Sequence, residues 1–408
     1  MKTAETIVIG SGPAGLSAAI SCKQKPVLVL EKNTTAGKKL LIAGSGRCNL
    51  THDGDIKDFF DHYGLNARFL KTALLNFTNK QLIGFFKEKG LDIYIDKNGK
   101  VFPESDSSAN VLSILLKCCK ENEVEVVYKQ NVISIKHKNG QFAVRTPTES
   151  YLCKNIIVAT GGKSYVNTGS TGDGYEIARS FGHTIVTPKP ALTPVFSNSL
   201  NLVQLAGVSL QNLLIYLYRK NKKIAEHKGD VVFTHKGLSG PGILDFSRQF
   251  EAGDLLKLNF TGLHSDDFRH YFIAAVEMDG KSTVQSFLKR FDIPKSLIQT
   301  VLGKYKIDPT DNLAEITKAE RITITNDFCE FEVAVTRMGG FDVAMVTAGG
   351  VHLSEISSRT MESKLVPGLY FAGEVLDIDG DTGGYNLQAA FSTGHLAGKS
   401  ISNRGLAV

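Results

Sequence analysis

The chain has 408 residues and a formal net charge of +6 at pH 7, and 42% of its residues are hydrophobic and 22% charged. This length predicts two or three domains with a sizeable buried core, and the near-average composition excludes disordered and collagen-like classes. No run of about 18 apolar residues occurs, so we expect no transmembrane helix. The mild positive charge fits an anionic cofactor or substrate. The sequence lacks the clustered run of basic residues that is typical of nucleic-acid binding.

The amino terminus and the cysteines indicate a cytoplasmic protein. "MKTAE" leads directly into "TIVIGSGPAG", without the apolar segment and cleavage site of a signal peptide. The cysteines form no CxxC pair and no regular spacing; they are Cys22, Cys48, Cys118, Cys119, Cys153 and Cys329. We therefore expect reduced thiols, with no disulfide framework and no metal site.

The first predicted elements form a βαβ unit. "TIVIGSGPAGLSAAISC" predicts a short buried strand over residues 6–9, a glycine turn and a helix from about Pro13. "PVLVLEK" predicts a second apolar strand that ends at Glu31. This order is typical of the start of a parallel sheet in an α/β protein.

The next part of the chain predicts helices and a small antiparallel layer. Residues 56–90 have a helical pattern, and "DIYIDKNGKVFP" predicts a hairpin that turns at Asn98-Gly99. "SANVLSILLKCCKEN" predicts an amphipathic helix capped near Ser107 or Ser108. Residues 124–153 predict short strands with a turn at Asn139-Gly140, followed by the apolar strand "NIIVATGG".

The sequence changes character at the proline-rich segment "TPKPALTP", which begins at Thr187. A strand-rich stretch with a hairpin in "LLIYLYRKNKKIAEHKG" follows, and then a helical pattern over residues 264–308. Apolar strands and glycines return near the carboxyl terminus, so the sheet domain is expected to be discontinuous. The predicted divisions are 1–186 for the first part of the sheet domain, 187–262 for an inserted β-domain, 263–330 for a small helical insert with a return strand, and 331–408 for the second part.

The strongest motif is Gly10-x-Gly12-x-x-Gly15, placed between the first strand and the first helix, with Glu31 at the end of the next strand. In such a turn the first glycine permits the tight bend, the second lets the backbone approach a pyrophosphate, and the third lets helix pack on sheet. The helix N-terminus attracts the pyrophosphate, and the carboxylate can accept hydrogen bonds from ribose hydroxyls. The motif predicts dinucleotide binding, but by itself it does not separate FAD from NAD.

The carboxyl-terminal stretch "YFAGEVLDIDGDTGGYNLQAAFSTGHLAGK" favours FAD. It predicts a strand, a glycine-rich loop and a helix from about Asn386, whose N-terminus could stabilise the negative charge of a reduced flavin. A second GxGxxG is absent, since "GSTGDG" at 169–174 has a different spacing. NAD(P)H as the electron donor would therefore dock without a Rossmann domain of its own.

The segment "GKKLLIAGSGRCNLTH" at 37–52 resembles a signature of the bacterial flavoprotein family that includes BaiN-type bile-acid reductases and aminoacetone oxidases. Segments similar to the family's other signatures occur in the same order: "TGGKSYVNTGSTGDGYEIARSFGH" at 160–183, "VVFTHKGLSGPGIL" at 231–244 and "AGGVHLSEISSRTMESKLVPGLYFAGEVLDIDGDTGGYNLQAAFSTG" at 348–394. Two positions depart from the pattern, because Ser45 stands in the family's triple glycine and His52 replaces its closing asparagine. The resemblance implies a discontinuous Rossmann-like FAD-binding domain of the glutathione-reductase type, with an inserted β-barrel-like domain and a small helical insert.

The resemblance also implies which residues bind the cofactor. Near the pyrophosphate and adenosine these are Gly10, Gly12, Ala14, Gly15, Glu31, Lys32 and Val132. The rest of the expected set is Lys39, Gly46, Arg47, Cys48, Asn49, Thr160, Gly161, Gly373, Glu374, Asp377, Gly384, Asn386 and Leu387.

Candidate catalytic groups are fewer. His235, in "FTHKGLSGPG", could protonate a reduced carbon, and Tyr385 could donate a proton or pack on the flavin. A lone histidine is more often structural than catalytic, so neither residue is a strong catalytic assignment. A redox role for the Cys48 thiol would need a distant partner such as Cys153, so a packed or flavin-edge thiol is the preferred interpretation.

The sequence therefore predicts an FAD-dependent oxidoreductase that transfers a hydride between flavin N5 and a small organic substrate, and we favour a reductase that uses NAD(P)H. An oxygen-dependent amine oxidase of the aminoacetone oxidase type is an alternative. Alternatives from other classes are an FAD-dependent tRNA-modifying protein and a non-catalytic flavin-binding sensor. Nucleic acid and membranes are disfavoured as partners, because "YRKNKK" at 218–223 is the one candidate basic run and is typical of a solvated hairpin.

Overall fold

The computed structural model describes residues 1–198 and 201–404, which divide into two compact units. The first unit combines Met1–Pro190 with the segment that begins at Ala344, and the second lies within Ala191–Val343. The first unit is thus discontinuous in sequence. Among the described helices, none has the length and apolar character needed to cross a membrane.

The strands, in chain order, are β1 (Lys2–Ile9), β2 (Val27–Leu30), β3 (Thr51–His52), β4 (Ile93–Ile95), β5 (Lys100–Pro103), β6 (Val124–Val127), β7 (Ser134–Lys138), β8 (Gln141–Arg145), β9 (Ser150–Val158), β10 (Ile185–Ala191), β11 (Val195–Phe196), β12 (Ser209–Arg219), β13 (Lys222–Thr234), β14 (Gly237–Ser239), β15 (Leu255–Asn259), β16 (Phe331–Ala334), β17 (Arg337–Met338), β18 (Val346–Val351) and β19 (Leu369–Phe371). The α-helices are α1 (Pro13–Ser21), α2 (Lys38–Ile42), α3 (Ala67–Asn76), α4 (Asn79–Glu88), α5 (Ser108–Glu121), α6 (Asp173–Ser180), α7 (Asn201–Gln204), α8 (Pro241–Phe246), α9 (Ser265–Asp279), α10 (Val284–Lys289), α11 (Lys295–Gly303), α12 (Lys318–Cys329) and α13 (Tyr385–Arg404).

The main sheet of the first unit has the strand order β6-β2-β1-β9-β8-β7, and β19 pairs with the carboxyl-terminal part of β9. The pairs β2–β6, β1–β2, β1–β9 and β9–β19 are parallel, whereas β7, β8 and β9 pair antiparallel. The central strands are almost completely buried, which explains their continuous apolar runs. The predicted βαβ unit at the start of a parallel sheet is confirmed.

The hairpins form where local turn residues predict them. Gly99 connects β4 and β5 at a φ of +76°, and Asn139 and Gly140 connect β7 and β8 at φ values of +53° and +74°. Two successive residues with positive φ are typical of the type I′ turn, which suits the twist of paired strands. The predicted hairpin near residue 220 is formed by β12 and β13. All three hairpin predictions are confirmed.

Helices α1 and α13 pack with their backbones in direct contact. A Cβ atom on Gly394 would lie 2.2 Å from the carbonyl oxygen of Ala14, and one on Gly398 would lie 2.2 Å from that of Ala18. The Ser17 hydroxyl also donates a hydrogen bond of 2.8 Å to the Phe391 carbonyl. No residue larger than glycine fits at these two positions without moving one of the helices.

The second unit is built on an antiparallel sheet with the strand order β16-β15-β12-β13-β14-β11-β17. Its buried core joins side chains of the sheet, such as Leu217 and Phe233, to side chains of the helical segment, such as Phe268 and Phe287. The strand-rich and helical stretches of this unit therefore share one hydrophobic core.

The contact between α1 and α13 yields a matched pair of glycine substitutions. Gly398→Ala should lower the free energy of unfolding by about 1–3 kcal/mol, because the new methyl group overlaps the Ala18 carbonyl oxygen. Gly84→Ala, within α4 and with no atom near its Cβ position, should instead raise it by about 0.5–1 kcal/mol. Urea denaturation followed by circular dichroism measures both. Equal effects of the two variants would contradict the proposed role of the helix contact.

Candidate active site

Six of the predicted cofactor residues lie at one edge of the main sheet. The parallel strands β1, β2, β9 and β19 all end at this carboxyl edge, which is where α/β sheets usually bind ligands. The predicted residues within three positions of these strand ends are Gly10, Glu31, Thr160, Gly161, Gly373 and Glu374.

The three glycines after β1 meet three different requirements. Gly10 has a φ of +102°, and a Cβ atom there would lie 2.6 Å from the Ala159 carbonyl oxygen. A Cβ atom on Gly15 would lie 2.0 Å from the Gly10 carbonyl oxygen. Gly12 has an ordinary φ of −78° and no atom within 4 Å of its Cβ position. Packing therefore requires Gly10 and Gly15, whereas Gly12 leaves open space at the N-terminus of α1.

The neighbouring Ala14 is buried in the contact with α13, where its carbonyl oxygen approaches Gly394. Its side chain packs inside the fold. The part of the motif available to a ligand is thus the backbone at the start of α1, where free N–H groups and the helix dipole favour an anion.

Glu31 is only 6% exposed, and the chain's own donors hold its carboxylate in place. One oxygen accepts hydrogen bonds from the Ser11 N–H at 3.1 Å and the Ser11 hydroxyl at 2.5 Å. The other accepts from the Asn33 N–H and side-chain amide, both at 2.8 Å. Sequence reasoning missed both partners, although Ser11 lies inside the glycine motif and could have been found.

The residues after Glu31 are enclosed by two other segments. The Lys32 ammonium contacts the Asp173 carboxylate at 2.5 Å and the Thr171 hydroxyl at 2.6 Å. The Gln130 N–H donates a hydrogen bond of 2.8 Å to the Glu31 carbonyl. This bond holds residues 130–132 beside the end of β2, and Val132 in this segment is half-buried. The structure thus places Lys32 and Val132 near Glu31.

Glu374 is the centre of a polar network after β19. Its carboxylate contacts the Lys39 ammonium at 2.6 Å and accepts from the Ser164 hydroxyl at 3.0 Å and the Thr347 N–H at 2.7 Å. Lys39 also donates to the Ser164 hydroxyl at 2.6 Å. Three distant segments therefore meet at one partly buried carboxylate. Neither Ser164 nor Thr347 was predicted, because only tertiary packing brings them to Glu374.

The loop that follows α2 has an unusual backbone. Gly44, Ser45, Gly46 and Cys48 all have positive φ, with Ser45 at +59°. A left-handed conformation costs a non-glycine residue roughly 1–2 kcal/mol, which explains why the family pattern has glycine where this chain has Ser45. Arg47 is exposed, and its guanidinium lies 4.8 Å from the centre of the Phe102 ring.

The structure argues against a redox thiol at Cys48. Its side chain is fully buried, and burial raises the pKa of the thiol to about 12. The reactive species of a cysteine is the thiolate, which is scarce at neutral pH when the pKa is this high. All six cysteines are free, so Cys48 and Cys153 are not joined by a disulfide.

Two predicted residues carry buried polar atoms without a hydrogen-bond partner among the residues that the structure describes. They are the side-chain oxygen of Asn49 and the hydroxyl of Thr160. Buried polar groups are normally paired, and each exception calls for an explanation such as a ligand.

The glycine-rich loop before α13 is closed by Asn386, the second residue of that helix. The Asn386 amide donates to the Gly380 carbonyl and accepts from the Gly380 N–H, both at 2.8 Å. Gly384 has a φ of +103°, and a Cβ atom there would lie 2.5 Å from the Thr51 backbone. Leu387 is half-buried.

The pKa of the Asp377 carboxyl is raised, mainly by burial, although a hydrogen bond from the Gly349 backbone opposes the change.

Tyr385, the first residue of α13, lies between two imidazole rings. It stacks on His62 with ring centroids 3.9 Å apart and on His52 with centroids 5.3 Å apart. The His62 Nδ1 lies 3.0 Å from the Asp381 carboxylate, and the Tyr63 hydroxyl donates to the Tyr385 carbonyl. Tyr385 is therefore fixed at the start of the helix, and His52, a departure from the family pattern, forms part of its packing.

His235 lies in the second unit, at the exposed turn between β13 and β14. The two predicted proton donors thus belong to different units.

The basic run at 218–223 lies in the second unit and is partly neutralised. Arg219 pairs with Asp254 at 2.8 Å, and Lys223 pairs with Glu226 at 2.6 Å.

Comparisons with known proteins agree with this architecture. The profile of the family described as "HI0933-like protein Rossmann domain" matches residues 4–400. A protein of Clostridium scindens named 3-dehydro-bile acid delta(4,6)-reductase is 31% identical over 97% of this chain and 98% of its own. A Haemophilus influenzae protein named ribosomal RNA dihydrouridine synthase is 30% identical over 98% of this chain and 99% of its own.

A solved structure shares the fold at low sequence identity. The open conformation of a flavocytochrome c3 fumarate reductase superposes with a TM-score of 0.52 and 17% identity, over 99% of this chain and 79% of that protein. Together with the family match, this shows a mixed α/β, Rossmann-like FAD-binding fold. The chain belongs to the HI0933-like family, and it is an FAD-dependent oxidoreductase.

Proposed function

We propose that the protein reduces a carbon–carbon double bond conjugated to a carbonyl group, with FAD as the hydride donor and NAD(P)H as the reductant. The names of the two full-length relatives support this chemistry. A 3-dehydro, delta(4,6) bile acid carries double bonds in conjugation with a ketone, and dihydrouridine is uridine with the ring double bond next to a carbonyl saturated. The substrates differ, but the reaction class is the same.

The carboxyl edge of the main sheet fits the adenosine diphosphate part of FAD. The open space at Gly12 allows the backbone at the start of α1 to approach the pyrophosphate. Glu31 lies one strand away, where a ribose would follow, and a ribose hydroxyl there would share its carboxylate oxygens with the Ser11 and Asn33 donors. Lys32 and Val132 border the same place.

The remaining expected residues surround the flavin in this proposal. FAD, when bound, supplies hydride transfer at N5 of the ring. The buried oxygens of Asn49 and Thr160 offer unused hydrogen bonds to the cofactor. Gly384, just before α13, packs on the backbone of Thr51 near Asn49, so the N-terminus of α13 would stabilise negative charge there. The Lys39–Glu374 pair, with Ser164, holds the loop after β19 in a single arrangement.

Reduction of a conjugated double bond also needs a proton for the carbon next to the carbonyl. Tyr385 is our candidate for this role in the first unit, because it stands at the first turn of α13 and its ring is held between His52 and His62. His235 is the candidate in the second unit, since its imidazole is exposed at a turn.

Ribosomal RNA is a second candidate for the molecule that carries the double bond. The observation in its favour is the relative named ribosomal RNA dihydrouridine synthase, which matches this chain over nearly its full length. Against it, the most basic run of the chain has Arg219 and Lys223 paired with acidic side chains. We therefore favour a small organic enone.

Gly12→Ala should separate FAD binding from folding. Because Gly12 has an ordinary φ and open space at its Cβ position, the variant should keep the wild-type melting temperature without FAD. The added methyl group blocks the approach of the pyrophosphate, so FAD affinity should fall by about tenfold or more. Quenching of FAD fluorescence on binding measures the affinity. Gly84→Ala serves as the control, and unchanged FAD affinity in Gly12→Ala would contradict the placement.

The reaction class can be tested by anaerobic reduction and reoxidation. NADH or NADPH should bleach the flavin absorbance, and a steroid with a 4-ene-3-one group should restore it. Unmodified ribosomal RNA made by transcription, with mass spectrometry for dihydrouridine, tests the second candidate. A flavin that NAD(P)H leaves oxidised but an amine reduces would show that the reductase proposal is wrong and would favour an amine oxidase.

Cys48→Ala tests the thiol. Burial raises the pKa of Cys48 to about 12, so the group is a neutral thiol at neutral pH and should take no part in turnover. The rate of flavin reduction by NAD(P)H should stay within about twofold of the wild-type rate. Loss of this rate in a variant that still holds FAD would instead identify Cys48 as a catalytic group.

A further inference from the structure

A cavity of about 780 Å³ lies in the first unit, away from the carboxyl edge of the sheet. It is lined by the last turn of α1, the segment that leads into β2, and the carboxyl-terminal half of α13. These segments lie at the amino end of β2, whereas the expected dinucleotide residues follow the carboxyl ends of the strands. The cavity is therefore separate from the proposed FAD site, and its volume is in the range of small-molecule sites.

Lys25 supplies an unpaired positive group in this cavity. Its ammonium nitrogen is buried and has no hydrogen-bond partner among the residues that the structure describes. Its neighbours include the thiols of Cys22 and Cys119, whose pKa values burial raises to about 12. Neutral thiols do not compensate a buried charge, and an uncompensated buried charge is costly. A ligand with an anionic group would remove that cost.

His395 supplies an acceptor on another wall. The Ser21 hydroxyl lies 2.8 Å from the Ser17 carbonyl and 2.9 Å from His395 Nδ1, so when it donates to the carbonyl it accepts from the Nδ1–H. Burial, with a smaller contribution from Lys399, lowers the pKa of His395 to about 4. The ring is then neutral at pH 7, and in the tautomer with Nδ1 protonated, Nε2 can accept a hydrogen bond.

One part of the remaining wall is apolar. The His395 ring stacks on Phe77 with centroids 4.6 Å apart, and Leu82, Phe85 and Phe391 also line the cavity. The other charged groups at its border are Lys23, Lys399, Glu121 and Glu123. Glu121 is already paired with Lys89 at 2.9 Å, so the positive groups outnumber the unpaired carboxylates.

We propose that this cavity binds a hydroxylated organic carboxylate with a rigid apolar body. The carboxylate pairs with the Lys25 ammonium, the apolar body lies against Phe77 and Phe391, and a hydroxyl group donates to His395 Nε2. The site is distinct from the FAD site and does not depend on the proposed reaction.

Binding of 3-hydroxy-2-naphthoate to the FAD-saturated protein tests this site. The probe has a carboxylate, a hydroxyl group and a flat apolar body, and calorimetry measures its affinity. Lys25→Met should weaken binding by about tenfold or more, because the charge-assisted hydrogen bond is lost. Lys136→Met, at an exposed position on β7, is the matched control and should bind the probe as the wild type does. Without the probe, Lys25→Met should melt at a higher temperature, since it removes a buried unpaired charge.

A second variant keeps the test decisive if Lys25→Met folds poorly. His395→Phe preserves the stack on Phe77 but removes the acceptor, so it should weaken binding of 3-hydroxy-2-naphthoate and leave binding of 2-naphthoate unchanged. Equal binding of the probe to wild type, Lys25→Met and His395→Phe would overturn the proposal. So would the absence of binding to the FAD-saturated wild-type protein.

Discussion

The direct backbone contact between α1 and α13 is the constraint on which the first unit depends. Gly394 and Gly398 stand four residues apart on α13, and each faces a carbonyl oxygen of α1. Because helices are rigid rods, this contact fixes both of their ends at once. The amino-terminal ends of both helices meet the proposed FAD region, through Gly12 and Tyr385. Their carboxyl-terminal parts line the separate cavity that contains Lys25 and His395.

Around that contact, the chain fixes its own charged groups. Glu31 and Glu374 lie after different strands, and each is held by donors from other segments. Such a carboxylate has little freedom to reorient, so the electrostatic field at the carboxyl edge is set before any ligand arrives. Tyr385 is restrained in the same way by stacking between His52 and His62. This order suits chemistry in which the cofactor performs the transfer and the protein supplies position and charge.

The proposed reaction class rests on two full-length relatives, whose names agree on the chemistry more than on the substrate. The two full-length relatives carry names with a steroid-type and an RNA substrate, yet both names describe saturation of a double bond conjugated to a carbonyl. One fold commonly serves several substrates, because specificity depends on side chains at the site and not on the strand order. Two features of this chain bear on its substrate: Arg47 is exposed, and His52 lies beside Tyr385.

The sequence alone determined the features that depend on neighbouring residues. The Asn-Gly turns fixed their hairpins, and the glycine motif fixed the βαβ start and the open turn at Gly12, because backbone conformation is decided locally. Only the tertiary structure decided the partners of Glu374, the stack on Tyr385 and the cavity around Lys25, since each joins segments that are distant in sequence. It also decided the state of Cys48, because the pKa of a thiol depends on burial, which no local pattern records.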